Sequence, residues 1–133
     1  MLYPMFAMIV LTTIVATIAV SCRFKSVKSG SVPIKYYRLM QGDSIPDVIT
    51  KTTRCVNNMF EVPMLFYVVS TLYIALHIES LLGVILGSFF VALRCVQAYI
   101  HLTYNNVFHR MLAFWFGFVC VLLLWINLLV LQM

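Results

Sequence analysis

The residues of this sequence best suited to chemistry lie on two short polar stripes inside apolar runs. In Arg54-Cys55-Val56-Asn57-Asn58-Met59-Phe60-Glu61-Val62-Pro63, the polar residues Arg54, Asn58 and Glu61 fall at i, i+4 and i+7. At 3.6 residues per turn they share one helix face. A carboxylate within a lipid-spanning helix is costly unless something pairs with it. The second stripe offers partners: Arg94, Gln97, His101 and Tyr104 recur at i, i+3, i+7 and i+10, again one face. Glu61 lies about two turns inside its span, roughly 12 Å at the helical rise, and Arg94 lies roughly 15 Å inside its own. Those depths predict a Glu61–Arg94 pair. Arg54, Asn58, His101, Tyr104, His109 and Arg110 fall nearer the same surface. The expected sum is a cationic, hydrogen-bonding pocket open at one membrane face. Arginines clamp carboxylates, and amides with a carboxylate hold an ammonium and peptide groups. An arginine beside a thiol raises its thiolate fraction, so the pocket also suits a thiol cofactor.

The elements that must position these stripes follow from composition. The chain has 133 residues, 63% hydrophobic and 10% charged, with mean hydropathy +1.01. A soluble domain carries about 25% charged residues, so this composition predicts an integral membrane protein forming one compact unit. Spans of close to the ~20 residues a bilayer requires are expected at about 3–22, 53–77, 81–104 and 107–131. Ser44, Pro46 and Asp47 read as a helix start. The second helix is therefore expected to run from about Pro46 to His77, with its first turns in water and a local kink where Pro63 removes a backbone hydrogen bond near Met59. The short turn at His77-Ile78-Glu79-Ser80 places the third span antiparallel to the second. The first span, lacking a basic segment before it, reads as retained rather than as a signal peptide.

Seven of the nine Lys and Arg lie between Arg23 and Arg54. That clustering explains the net charge of +5 by membrane topology, not nucleic-acid binding. The basic loop 23–52 and the turn beside Arg110 are then cytoplasmic, and both termini lie opposite. Cys22, Cys55, Cys95 and Cys120 have no metal-site spacing and read as small apolar packing residues. The expected fold class is all-α, a four-helix transmembrane bundle.

The stretch Arg54-x-x-x-Asn58-x-x-Glu61, followed by Pro63, resembles the signature of the family of membrane-associated proteins in eicosanoid and glutathione metabolism (MAPEG). Arg94 through His101, Arg110, the four spans and the basic first loop match as well, over nearly the whole chain. The resemblance implies a homotrimer that binds glutathione between subunits, with a lipophilic electrophile arriving from the membrane lipids. It implies Arg54, Asn58, Glu61, Gln97 and His101 as glutathione ligands, to which Tyr104 is added as the next residue of its stripe, and Arg110, with Arg94 second, as the thiol-activating arginine. The reading is of a bacterial-type member in an inner membrane. Departures from the family pattern are the early Pro63, His101 where a tyrosine stands, and Val62 where the leukotriene enzyme has a tyrosine.

The implied activity is a glutathione-dependent transferase or peroxidase. Two other classes compete. A non-catalytic lipid- or ligand-binding protein of the same fold would keep the pocket without activating a thiol. A small four-span exporter also uses one intramembrane glutamate, but needs it exposed and titrating, whereas here arginines and amides share its face.

Overall fold

The structure, a computed structural model, describes residues 1–39 and 45–133. Every regular element among them is helical: α1 Leu2–Lys28, α2 Tyr36–Leu39, α3 Asp47–Asn58, α4 Val62–Ala75, α5 Leu81–Leu102 and α6 Val107–Gln132. Four segments are long and apolar enough to cross a membrane: α1, α3 with α4, α5 and α6.

Apolarity ends at Cys22, but α1 continues to Lys28. Lys and Arg are good helix formers, and Lys25 and Lys28 in the last turn complement the negative helix end. The irregular part of the first loop therefore starts at Ser29, not at Arg23. It turns at Gly30, whose φ of 72° lies in the region open to glycine at no steric cost. The loop also holds the short α2, which sequence reading missed. Tyr37 of α2 ties it back to α1: its hydroxyl lies 2.7 Å from Ser26 Oγ, and its ring lies 5.9 Å from the Arg23 guanidinium.

The second span is not one kinked helix. Pro63 has no N–H, so a continuous helix would orphan the Met59 carbonyl. The interruption covers three residues. Met59 and Phe60 close tighter turns on the carbonyls of Val56 and Asn57, each at 2.9 Å, and Glu61 leaves helical geometry with ψ −96°. The upstream start also differs from expectation. Pro46 stands just before the helix rather than within its first turn, Asp47 is the first-turn acid, and Ser44 lies outside the described residues.

The break divides the packing. α3 lies against α1 and α5, whereas α4 lies against α6 and α1. The second span thus does not follow the third along its whole length. α4 reaches α5 through Phe66, whose ring stacks on Phe90 with centroids 4.7 Å apart. Met8, Val15, Cys55, Val69, Val121 and Leu124 complete a buried core with these rings. The four cysteines are free, with Cys55 and Cys120 buried and Cys95 exposed.

At the end far from the basic loop, polar groups lock α4, α5 and α6 together. The Tyr73 hydroxyl donates to Asn127 Oδ1 at 2.6 Å and lies 3.2 Å from the Leu124 carbonyl. Ser80 Oγ donates to the same Oδ1 at 3.0 Å and caps α5 by accepting from Gly83 N–H. A Cβ at Gly83 would meet the Tyr73 ring at 3.2 Å, and the tethered ring has little room to yield. Gly83→Ala should therefore lower stability in detergent by about 1 kcal/mol. In a Tyr73→Phe background, where the ring is untethered, the loss measured in the melting midpoint should shrink.

Candidate functional site

The two polar stripes fold into two clusters. The deeper one is built on Arg94, only 1% exposed. The break after α3 leaves that helix's last carbonyls without intrahelical donors, and a buried cation answers one of them. Arg94 Nη2 donates to the carbonyl of Asn58, the last residue of α3. Its Nη1 donates to Gln97 Oε1 one turn further along α5, at 2.5 Å. The guanidinium lies 5.9 Å from the Phe90 ring centroid, within cation–π range. A cation at a helix C-terminus is favourably placed against the dipole. Arg94 thus staples the broken second span to the third. Its Nε has no partner.

This arrangement corrects the expected Glu61–Arg94 pair. Among the described residues, Arg94 donates to Asn58 and Gln97, and not to Glu61, which is exposed. The depth comparison placed the two residues at one level, but the three-residue break turns Glu61 outward.

The shallower cluster encloses a cavity of about 190 Å³. Asp47, Thr50, Lys51 and Arg54 line it from α3, His101 from α5, Asn105 from the α5–α6 turn, and Arg110 from α6. The α3 residues stand at i, i+3, i+4 and i+7, a single face. One lysine and two arginines thus confront one aspartate. His101 is 1% exposed, and neither ring nitrogen has a hydrogen-bond partner. Arg110 Nη1 donates to Asn105 Oδ1 at 2.7 Å. Asn105 sits at φ 52°, and its N–H donates to the Ile100 carbonyl at 2.8 Å. The next residue, Asn106, caps α6 by accepting from Phe108 and His109 N–H.

Of the eight residues singled out by sequence, the structure brings Arg54, His101 and Arg110 into this cavity. Arg94 and Gln97 lie in the deeper cluster, where Asn58 contributes its backbone carbonyl. Glu61 and Tyr104 line neither. Tyr104 is exposed, with its hydroxyl 3.1 Å from His109 Nδ1. Asp47, Thr50, Lys51 and Asn105 were missed. The first three were legible as the upstream continuation of the Arg54 face, and Asn105 as a turn asparagine five residues before Arg110.

Chemically, the cavity can hold an anion carrying more than one acidic group, with a polar contact to His101. Cavities for drug-sized ligands start at about 300 Å³, so this one encloses only part of such a ligand. Outward residues such as Phe89, Tyr99, Trp115 and Phe116 are exposed and suit lipid or another subunit. The family model that matches the chain is that of the MAPEG family, over residues 1–130. No curated protein and no solved structure matches it.

Proposed function

Because the chain belongs to the MAPEG family, we propose that it is a multi-pass membrane protein acting as a glutathione-dependent transferase or peroxidase on lipophilic electrophiles. The observation that carries this reading is the cavity between α3, α5 and α6. It sets Lys51, Arg54 and Arg110 against Asp47, beside a buried imidazole whose two nitrogens have no partner. Glutathione carries two carboxylates and one ammonium, and this donor set fits that charge pattern.

Bound there, glutathione supplies a thiolate nucleophile. Arg54 and Lys51 hold carboxylates, and Asp47 takes the ammonium. His101 exchanges a hydrogen bond with the peptide portion. Arg110, with one N–H committed to Asn105, directs its remaining donors at the sulfur and stabilises the anion left when the thiol proton passes to water. Arg94, Gln97 and Asn58 keep α3 against α5, so that the α3 face meets His101 and Arg110 in register. The cavity is too small for the whole tripeptide, which supports a site completed by a second copy in a homotrimer. Exposed Glu61 and Tyr104 would then reach the ligand from a neighbouring subunit. The basic loop faces the cytoplasm, in keeping with the positive-inside rule, and a bacterial inner membrane is the setting we favour.

A ligand-presenting role without chemistry draws on one observation: both terminal nitrogens of Arg94 are committed to Asn58 and Gln97, which leaves thiol activation to Arg110 alone. Glutathione binding and the ultraviolet thiolate band near neutral pH, measured on detergent-purified protein, separate the readings. Wild type should bind and show the band. Arg110→Ala should retain binding but lose at least about tenfold in thiolate fraction, one unit of thiol pKa. Glu61→Gln should weaken binding if the site spans subunits. Binding without a band in wild type would favour the presenting role, and absence of binding would end the glutathione reading.

A further inference from the structure

We propose that Asn105 is a positioning residue for thiol activation, holding the Arg110 guanidinium in the cavity while leaving its charge intact; this rests on the glutathione reading above. Arg110 lies in the first turn of α6, and its backbone N–H donates to Asn106 at 3.1 Å. A cation there faces the positive end of the helix dipole, so nothing in the helix itself favours its placement. A free arginine side chain also samples many rotamers. The one protein acceptor for its guanidinium among the described residues is Asn105 Oδ1, at 2.7 Å.

Asn105 is itself anchored. Its φ of 52° is a left-handed conformation that asparagine tolerates better than most residues. Its N–H closes onto the Ile100 carbonyl at 2.8 Å, which fixes it to the last turn of α5, next to His101. The amide therefore fixes Arg110 relative to the imidazole across the α5–α6 turn. An amide oxygen is neutral, so it orients the guanidinium without offsetting its charge. An aspartate in the same place would hold the same contact and cancel the positive potential that the thiolate needs.

A merely structural Asn105, one that only ends α5, would be replaced without effect by glycine, which takes positive φ freely. The test is the thiolate fraction against pH, with glutathione affinity, for wild type, Asn105→Gly, Asn105→Asp, Arg110→Ala and the Asn105→Gly/Arg110→Ala double variant. With glutathione saturating, Asn105→Gly should lose about tenfold in thiolate fraction at neutral pH, the order expected for one hydrogen bond to a charged group. Asn105→Asp, which keeps the turn conformation and the contact, should lose the band as well. In the Arg110→Ala background, Asn105→Gly should change nothing further, because both substitutions act on one group. An undiminished band in Asn105→Gly and Asn105→Asp, with glutathione bound, overturns the proposal and leaves the glutathione reading standing. Additive losses in the double variant also overturn it. A wild type that binds no glutathione overturns the underlying reading and the proposal together.

Discussion

Arg94→Met should lower the stability of the detergent-solubilised protein by about 2–4 kcal/mol, the largest loss expected from any single change at the two clusters. The substitution leaves the Asn58 carbonyl and Gln97 Oε1 without the donors they have now. A buried acceptor stripped of its partner costs roughly 1–3 kcal/mol. Removing a desolvated guanidinium returns part of that, while the methionine stem preserves much of the packing against Phe90. Arg94→Lys should fall between, because a compact ammonium does not reproduce the planar fork that reaches both acceptors. Gln97→Leu, which leaves the buried Arg94 Nη1 without its acceptor, should cost about 2 kcal/mol. The denaturation midpoints of these three variants rank the staple directly. The same proteins decide what Arg94 does for function. If it only holds α3 to α5, the fraction of Arg94→Met that remains folded will bind glutathione and show the thiolate band. Loss of binding at unchanged stability would instead return Arg94 to the ligand set.

The staple also marks the boundary of what the sequence discloses. Four membrane-crossing segments were legible because apolar runs of bilayer length carry their own signal. Helix ends were less so. α1 outlasts its apolar run by six residues to Lys28, since hydropathy reports where lipid ends and not where hydrogen bonding ends. Pro63 announced a disturbance near Met59, but not its width. The three-residue break is answered by a side chain 36 residues away in sequence, which supplies a missing donor, and local propensity carries no trace of such long-range capping. For the same reason, depth counting set Glu61 level with Arg94 and yet predicted the wrong partner: level is a property of the rise, whereas facing depends on an unbroken rotation. The shallow cavity was partly readable. The Arg54 face and the Arg94–His101 stripe were drawn from periodicity, and Arg54 and His101 do meet. Asp47 and Lys51 continue the Arg54 face upstream, but they were passed over because they precede the apolar run, in a segment read as solvated helix start and basic loop.

His101→Leu should have effects of opposite sign on stability and binding, and it is the sharpest single test of the cavity. The imidazole is 1% exposed, and both nitrogens lack partners. Buried polar groups in native proteins are nearly always hydrogen-bonded, so an unpartnered one is retained against a cost of roughly 1–3 kcal/mol. Leucine is close to histidine in volume, carries no polar atom, and borders a cavity that takes up small misfits. The ligand-free variant should therefore be more stable than wild type by about 1–2 kcal/mol, read from its unfolding midpoint in detergent. Glutathione affinity should fall at least about tenfold, the worth of one good hydrogen bond inside a desolvated site. Such a trade of stability for binding is expected where a polar group is kept for a ligand rather than for the fold. A variant that loses stability and binding together would make His101 part of the packing between α3 and α5. A more stable variant with unchanged affinity would remove the imidazole from the ligand set, leaving Lys51 and Arg54 to hold the carboxylates through charge alone.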